Sequence, residues 1–356
     1  MMQYQKLPQA PKSIAIFRAL MLGDLLCSVP ALRALRHAYP QSRITLVGLP
    51  WAKSFVQRFA HIIDEFLLFP GYPGLPEIAP DIENIGYFFI QAQQNKFDLV
   101  IQMHGAGSYV NSICVLLGAK YNAGFYIEGE YCPDPKLFIP FPETSNEVVR
   151  YIQLVESLGV PSRGTHLEFP LFKSDFDRLQ LMQGADLLKE EYICIHPGAR
   201  LLSRRWLPER FAQVSDELAG AGFKIVLTGG KEEGALVASV SSMMKAPHVN
   251  MAGKTDLGTL GALLKGARLL VCNDTGVSLM AAALKVPGVV ILTGSDLESS
   301  KPANEELHKI VYSPVNCRPC FYHVCPIGQP CAQQVETKSV IDMALSILKE
   351  PSGVSK

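Results

Sequence analysis

The sequence predicts an α/β chain built from two doubly wound, Rossmann-like domains. Short apolar runs alternate with stretches of helical periodicity along most of the chain. This pattern is typical of parallel sheets that are covered by helices on both faces. The length of 356 residues also exceeds what one hydrophobic core usually supports, which favours two domains.

The first half of the chain contains four predicted strands, each followed by helical periodicity. The strands are predicted at 14–17, 44–48, 65–69 and 99–102, and helices at 51–59, 82–95, 108–117 and 146–158. A further helix follows Gly23, where Asp24 is a residue type that caps helices and Pro30 predicts a kink or a restart. Residues 124–142, rich in proline and aromatics, are predicted to be irregular.

The second half repeats the pattern after a mixed polar stretch. That stretch, 161–177, is predicted as the linker, so the domains span 1–165 and 178–335. Strands are predicted at 192–195, 224–227, 269–272 and 289–292, and helices from 208, from 232, at 256–266, at 275–284 and at 338–349. Asp175 and Asp177 fall in the linker and are interpreted as solvated surface.

The composition is that of an ordinary soluble globular protein. With 33 basic and 33 acidic residues the net charge is zero, which argues against broad nucleic-acid binding. The polar N-terminus lacks a signal-peptide core and charges interrupt every apolar run, so we expect a cytoplasmic protein. Five of the nine cysteines lie in apolar segments and are expected to be small buried hydrophobes: Cys27, Cys114, Cys132, Cys194 and Cys272.

The strongest site signal is the stretch 192–211, YICIHPGARLLSRRWLPERF. An apolar strand, 192–195, is followed by a turn with His196 and Gly198, a loop with Arg200, Arg204 and Arg205, and a helix. A glycine turn, cations and a helix N-terminus together suit an anion such as a diphosphate. Taken alone, a plain βα unit with a solvated basic loop explains the stretch equally well.

Two other strand ends carry polar residues. Asp274, Thr275 and Gly276 open a helix after a buried strand; an N-cap explains one of them, and all three together favour a ligand near backbone N–H groups. Asp24 stands at the corresponding place in the first domain, where it is either a general base or an N-cap. The P-loop and dinucleotide fingerprints both fail, because His248 and Val110 replace required glycines.

Four cysteines crowd one short segment near the C-terminus: Cys317, Cys320, Cys325 and Cys331. The opening Cys-x-x-Cys can hold a soft metal ion. The later spacings do not fit the common zinc module, so a structural metal site and packed or reactive thiols without metal both stay open.

Six motifs in order resemble the heptosyltransferase family, glycosyltransferase family 9, which builds the inner core of lipopolysaccharide. They are FRALMLGDLLCSVPALRALR, FDLVIQMHG, HPGARLLSRRWLPERF, LTGGKEE, MAGKTDLG and NDTGVSLMAAAL. The resemblance covers about 14–331 and implies a GT-B fold, whose two domains face each other across a cleft. It implies that the first domain binds the acceptor, that the second binds the donor, and that helix 338–350 packs back on the first.

The family also implies roles for individual residues. Asp24 would be the catalytic base of an inverting, metal-independent transfer. The donor would contact His196, Gly198, Arg204, Arg205, Gly229, Glu232 (or Glu233), Lys254, Thr255, Asp274, Thr275 and Gly276. Arg18 and His104 would contact the acceptor. No cofactor is implied, and the expected partners are an ADP-sugar, a lipid-linked or oligosaccharide acceptor and the cytoplasmic face of the inner membrane.

Two departures from the family pattern leave the donor open, with heptose as the default: Leu279 stands near the usual His, and 293–296 replaces Gly-Pro-Thr-Asp. Arg204 stands where the family usually has Lys and keeps the charge. A nucleotide-sugar-binding protein of the same fold without turnover is the alternative function; Leu279 favours it slightly and Asp24 argues against it. A nicotinamide-dependent oxidoreductase is disfavoured by the missing fingerprint.

Overall fold

The computed structural model describes residues 7, 9–107, 109–143, 146–182, 190–300 and 307–349, so the predicted helix start at 108 and helix end at 350 lie outside the described residues. The chain divides into two compact units, Met1–Leu167 and Glu168–Lys356. Each unit contains a six-stranded parallel sheet surrounded by helices. The predicted α/β class is confirmed.

The first unit is organised by a sheet of strand order β3-β2-β1-β4-β5-β6. Its strands are β1 (Ser13–Phe17), β2 (Arg43–Gly48), β3 (Glu65–Leu68), β4 (Leu99–Gln102), β5 (Tyr121–Tyr126) and β6 (Phe138–Pro140). Its helices are α1 (Leu22–Ala38), α2 (Ala52–Arg58), α3 (Ile82–Gln94), α4 (Val110–Leu116) and α5 (Glu147–Ser157). The strand order reverses between β1 and β4, and their carboxyl ends flank the place where such sheets bind ligands.

The second unit has the same topology, with the order β12-β11-β10-β7-β8-β9. Its strands are β7 (Tyr192–His196), β8 (Lys224–Leu227), β9 (His248–Asn250), β10 (Leu269–Asn273), β11 (Gly288–Leu292) and β12 (His308–Tyr312). Its helices are α6 (Lys173–Leu181), α7 (Pro208–Gly220), α8 (Gly234–Met243), α9 (Leu257–Gly266), α10 (Gly276–Ala283), α11 (Leu297–Ser300), α12 (Pro330–Gln334) and α13 (Thr337–Lys349). The reversal here lies between β7 and β10, so the segments after these two strands share one edge.

Helix α1 begins earlier than the capping pattern predicts. Met21 is its N-cap residue, and Asp24 is the third helical residue, whose Oδ2 accepts the backbone N–H of Met21 at 2.9 Å. The expected N-cap role of Asp24 is therefore wrong. Pro30 lies inside α1, which continues to Ala38, so the helix does not restart there.

Four strands were not predicted, because their sequences lack a clear apolar run. These are β5, β6, β9 and β12, of which β6 and β9 have three residues each. β6, β9 and β12 lie at the outer edges of the two sheets, where only one neighbour supplies hydrogen bonds. Such strands depend on pairing with distant segments, which local composition does not reveal.

The segment predicted as a solvated linker is partly structured. Helix α6 packs against α9 in the second unit, and a methyl group on Gly261 of α9 would lie 2.8 Å from the Phe169 ring. Asp175 is buried and accepts the backbone N–H of Phe172 at 2.8 Å, so its interpretation as solvated surface is wrong.

The last helix belongs to the core of the second unit. Helix α13 contacts α7, β10, β11 and β12, and it buries Val340 and Ala344 against them. The return of this helix to the first domain stays a prediction. In the described part of the chain, no helix is both long enough and apolar enough to cross a membrane.

Candidate functional site

The turn after β7 brings a histidine and a carboxylate together. His196 Nδ1 lies 3.0 Å from Thr228 Oγ1, and that hydroxyl donates to the Ile195 carbonyl at 3.2 Å. The ring nitrogen is therefore the donor in the first contact, and Nε2 faces Glu233 Oε2 at 3.7 Å. Burial lowers the pKa of His196, although the Glu233 carboxylate opposes the effect.

Glu233, not Glu232, is directed at this turn. Its Oε2 accepts the backbone N–H of Gly230 at 2.8 Å, whereas Glu232 is exposed. The carboxylate also occupies the space beside Gly198, where a methyl group would lie 1.9 Å from Glu233 Oε1. A methyl group on Gly229 would lie 2.9 Å from a Val237 methyl and 3.3 Å from Glu233 Cβ. The glycines thus leave room for Glu233 at the strand ends.

Asn273, the last residue of β10, makes hydrogen bonds to both ends of the basic loop that follows this turn. Its Oδ1 accepts the backbone N–H of Trp206 at 2.9 Å, and its Nδ2 donates to the Pro197 carbonyl at 2.7 Å. One buried amide therefore joins both ends of the loop. Sequence reasoning placed Asn273 only beside the site; a fully buried amide at the end of an apolar strand is the signal that could have indicated its role.

The three arginines of the loop differ in their surroundings. Arg204 lies in a 3₁₀ turn, Leu202–Arg204, and its Nε is buried and has no hydrogen-bond partner among the described residues. Arg205 instead donates from Nε to the Ala199 carbonyl at 2.8 Å, and Arg200 is exposed. Because a buried donor without a partner costs free energy, Arg204 is the residue best placed to receive an anion.

The other predicted donor residues lie near the same edge of the sheet. Thr275 is the N-cap of α10, and Gly276 is the first residue of that helix. Asp274 precedes them and accepts from the Ser300 hydroxyl at 3.1 Å. Lys254 is exposed and donates to the Asn250 carbonyl at 2.7 Å, and Thr255 follows it. Asp274, Thr275 and Gly276 follow β10, one of the two strands at the switch point, whereas Lys254 and Thr255 follow the edge strand β9.

In the first unit, Arg18 lies beneath Asp24. Its Nε donates to the Asp24 carbonyl at 2.7 Å, its Nη1 contacts the Met103 carbonyl and the Tyr151 hydroxyl, and its Nη2 pairs with Glu147 at 2.7 Å. The guanidinium also lies over the Tyr151 ring, 4.3 Å from its centroid. The side chain is fully buried, and these protein groups accept four of its five N–H groups. The predicted contact of Arg18 with the acceptor therefore does not fit its position.

The charges around Arg18 keep it ionised in spite of its burial. Burial alone lowers its pKa, but Tyr151, Glu147 and Asp24 together raise the pKa well above the usual range. In turn, burial raises the pKa of the Tyr151 hydroxyl, with Arg18 opposing it.

His104 follows β4, at the other side of the switch point. Its Nδ1 accepts the backbone N–H of Ala19 at 3.2 Å, and its Nε2 lies 3.9 Å from Glu77 Oε1. Burial, together with the nearby Arg18 charge, lowers the pKa of His104 to about 3. The ring is therefore neutral at physiological pH, with Nε2 carrying the proton.

The cysteines fall into two groups. Cys27, Cys114, Cys194 and Cys272 are buried as expected, whereas Cys132 is half-buried. Burial raises the pKa of the Cys114, Cys194 and Cys272 thiols. Among the described residues, which include 317–331, no three or more His, Cys, Asp or Glu side chains converge as metal ligands. Cys317, Cys320 and Cys325 instead line a cavity of about 300 Å³ with Phe321, Tyr322, Ile327 and two prolines.

Comparison with known proteins identifies what the chain is similar to. The family model described as glycosyltransferase family 9 (heptosyltransferase) matches residues 88–330. A lipooligosaccharide heptosyltransferase 2 of Campylobacter jejuni is 24% identical over 339 residues, which cover 92% of this chain and 96% of that protein.

Two solved structures show the same fold. The glycosyl transferase family 9 structure from Veillonella parvula has a TM-score of 0.80 at 22% identity and covers 98% of this chain and 100% of that one. The E. coli ADP-heptose lipopolysaccharide heptosyltransferase II has a TM-score of 0.74 at 17% identity and covers 95% and 98%. The predicted architecture of two Rossmann-like GT-B domains is confirmed by these likenesses.

Proposed function

The chain belongs to glycosyltransferase family 9, the heptosyltransferase family, and from this membership we propose that it transfers heptose from ADP-heptose to a lipopolysaccharide core acceptor. The named relatives support both halves of this proposal. One of them is a lipooligosaccharide heptosyltransferase, and another carries ADP-heptose in its name.

The observation that carries the proposal is the buried Nε of Arg204. Its buried Nε lacks a hydrogen-bond partner among the residues described, although the loop around it is fixed by Asn273. A cation held in place without a carboxylate suits a diphosphate, because a charge-assisted bond to phosphate is stronger than one to a neutral group. Arg204 would bind the donor diphosphate and offset the charge of the leaving ADP.

Glu233 supplies a second polar group at the same strand ends. Its carboxylate is held by the Gly230 N–H and lies beside Gly198 and His196. A carboxylate accepts hydrogen bonds from vicinal hydroxyls, so we assign Glu233 to the ribose of the donor. The exposed Glu232 has no such role in this proposal.

Asp24 would act as the general base. Its carboxylate would take the proton of an acceptor hydroxyl while that oxygen forms a bond to the anomeric carbon of the donor. The bond from this carbon to the diphosphate oxygen would break at the same time, and ADP would leave with the electron pair. A single displacement of this kind inverts the anomeric configuration, and the charge of Arg204 takes the place that a metal ion has in other transferases.

The acceptor and location follow from the proposed reaction. A lipopolysaccharide core is attached to a lipid, so we propose that the enzyme works at the cytoplasmic face of the inner membrane. His104 stays a proposed acceptor contact, because its Nε2–H is a neutral donor close to the switch point of the first sheet.

Donor binding and transfer should be tested separately. We expect ADP-heptose to raise the melting temperature more than UDP- or GDP-sugars at equal concentration, by mass action. Arg204→Ala should weaken ADP binding about tenfold or more, and Arg204→Lys should restore part of it. Arg163→Ala is a suitable control, because Arg163 is exposed and contacts His37 in the first unit.

Transfer decides between the two functions. Heptose transfer to a core acceptor that lacks heptose supports the enzyme. Tight ADP-heptose binding with neither transfer nor slow donor hydrolysis would support the alternative, a binding protein without turnover. Equal stabilisation by all three nucleotide sugars would contradict the proposed donor.

A further inference from the structure

A cysteine-rich loop, residues 317–329, lies against the arginine loop, residues 199–205. Both polar hydrogens of Ser203 are directed at it: the backbone N–H donates to the His323 carbonyl at 3.0 Å, and the hydroxyl donates to the Tyr322 carbonyl at 2.6 Å. Ser203 is only 1% exposed and directly precedes Arg204. The residue beside the proposed phosphate ligand is therefore fixed by the cysteine-rich loop.

Two further side chains hold the same turn. Gln329, at the end of the cysteine-rich loop, donates from Nε2 to the Leu202 carbonyl at 2.8 Å. Thr293, which follows β11, contacts the Ser203 carbonyl from its hydroxyl at 3.4 Å. The polar groups of Leu202 and Ser203 are thus bound from outside the arginine loop, while the Nε of Arg204 is left without a partner in the described structure.

The cysteine-rich loop is itself anchored to the sheet. Arg318 donates from Nη2 to the carbonyls of Leu292 and Thr293 at 3.1 and 2.7 Å, and the Cys320 N–H donates to the Gly294 carbonyl at 2.7 Å. Gly294 lies where the segments meet. A methyl group on Gly294 would lie 3.0 Å from Cys320 Cβ and 3.8 Å from Arg204 Cγ. The chain of contacts therefore runs from β11 through the cysteine-rich loop to Arg204.

We infer that the cysteine-rich loop is a positioning element of the donor site, which fixes Arg204 for the diphosphate through Ser203 and Gln329. The inference rests on the proposed function and adds a segment to its donor site. A long flexible cation loses conformational freedom when it binds an anion, and a loop that is already fixed reduces that cost. A loop with a structural role alone would change stability and leave nucleotide affinity unaltered.

Gln329→Asn removes one contact with little disturbance of the backbone. Gln329 has a positive φ of 57°, a conformation that asparagine adopts readily. The asparagine side chain is one carbon shorter than that of glutamine and would not reach the Leu202 carbonyl. Gln334→Asn is the matched control. Gln334 is exposed in the adjoining α12, and its amide oxygen accepts from Ser313, away from the arginine loop.

Ser203→Ala removes the second contact, and Ser203→Thr keeps a hydroxyl for it. We expect Gln329→Asn and Ser203→Ala each to weaken ADP binding and raise the donor KM about three- to tenfold. The acceptor KM should stay unchanged, Ser203→Thr should recover part of the affinity, and Gln334→Asn should match the wild type. In an Arg204→Ala background, Ser203→Ala should add little, because both changes act through the same cation.

Hydrogen exchange measured without nucleotide gives a readout that does not depend on the donor. Faster exchange at residues 199–205 in Ser203→Ala and Gln329→Asn, but not in Gln334→Asn, supports the positioning role. Unaltered exchange together with unaltered ADP affinity overturns the inference, as does additive loss in the Arg204→Ala background. If the wild type binds neither ADP nor pyrophosphate, the proposed function and the assignment of Arg204 to a diphosphate are both overturned. Hydrogen exchange at residues 199–205 still decides whether the cysteine-rich loop fixes the arginine loop.

Discussion

Nε of Arg18 donates a hydrogen bond to the backbone carbonyl of Asp24 at 2.7 Å. A fully buried cation thereby holds the first turn of α1, the turn that carries the proposed base. The same guanidinium pairs with Glu147 and contacts the Tyr151 hydroxyl on α5. Arg18 is consequently a positioning residue for Asp24 in the first unit, which explains why a basic residue is buried at the end of β1.

Asp24→Asn should abolish most turnover without unfolding α1. An asparagine oxygen can still accept the Met21 N–H, which Asp24 accepts at 2.9 Å, so the start of the helix is kept. The loss of a positioned base should lower turnover by about 10²–10⁴-fold, with ADP affinity nearly unchanged. Steady-state kinetics and ADP titration measure the two effects.

Asp175→Asn is the matched control for this change. Asp175 is also the third residue of its helix, and it accepts the Phe172 N–H at 2.8 Å, but it belongs to α6. The Asp175→Asn substitution should leave both turnover and ADP affinity unchanged. An Asp24→Asn enzyme that kept more than about half of its turnover, with chemistry rate-limiting, would exclude Asp24 as the base.

Gly198→Ala should weaken ADP binding by displacing Glu233. A methyl group at this position would lie 1.9 Å from Glu233 Oε1, the end of a flexible side chain, so the carboxylate should move and the fold should persist. The displaced carboxylate loses the Gly230 N–H, and we expect ADP affinity to fall about three- to tenfold. Calorimetric titration of ADP measures the change.

Glu233→Ala provides the internal check on this mechanism. If Gly198→Ala acts through Glu233, the double variant should bind ADP no more weakly than Glu233→Ala does. Gly220→Ala is the control for the substitution itself, since a methyl group on Gly220 meets nothing within 4 Å. Additive losses in the double variant would show that Gly198 contacts the nucleotide independently.

Most of the strands that sequence predicted well are buried on both faces; the edge strand β3, predicted at 65–69 and observed at Glu65–Leu68, is the exception. β1, β2, β4, β7, β8, β10 and β11 read as continuous apolar runs, and their observed bounds differ from the predicted ones by at most one residue at each end. Central strands of a parallel sheet have this composition because helices cover both sides. β6 and β9 lack it, because edge strands of three residues take their structure from pairing.

The site residues also differ in how far local sequence indicates them. Arg204 and Asp24 lie in motifs that local sequence can indicate. Asn273 and Gln329, by contrast, act on partners 67 and 127 residues away, which no local pattern shows. The contact of Arg18 with the acceptor was implied by the family resemblance alone, and its ion pair with Glu147 joins residues 129 positions apart.

Gly107→Ala should destabilise the first unit much more than Gly105→Ala. Both glycines have positive φ, 109° and 70°, so alanine is strained at either position. A methyl group on Gly107 would also lie 2.4 Å from the Phe125 carbonyl oxygen and 2.6 Å from Asn111 Nδ2, whereas at Gly105 it meets nothing within 4 Å. We expect losses of about 1 kcal/mol for Gly105→Ala and about 2–4 kcal/mol for Gly107→Ala in urea unfolding. Equal losses would mean that β5 and α4 move apart readily.

His104→Asn should reduce the acid sensitivity of the fold. Burial and the Arg18 charge lower the pKa of His104 from 6.5 to about 3. Between these two pH values the ring is protonated in the unfolded chain and neutral in the folded chain. Above pH 6.5 the group has no effect on stability, and as the pH falls from 6.5 towards 3 stability is lost progressively. At pH 5 this loss amounts to about 2 kcal/mol. Asparagine offers an oxygen to the Ala19 N–H and does not titrate.

The measurement is the free energy of unfolding of wild type and variant at pH 7 and pH 5. Burial also lowers the pKa of His308, to about 4, and that of His196, but both residues are present in both proteins and their contributions cancel. The wild type should therefore lose about 2 kcal/mol more than His104→Asn over this interval. His61→Asn, a change at an exposed ring, should follow the wild type. Parallel losses in wild type and His104→Asn would mean that His104 is protonated in the folded state, where the Glu77 carboxylate at 3.9 Å could pair with the imidazolium.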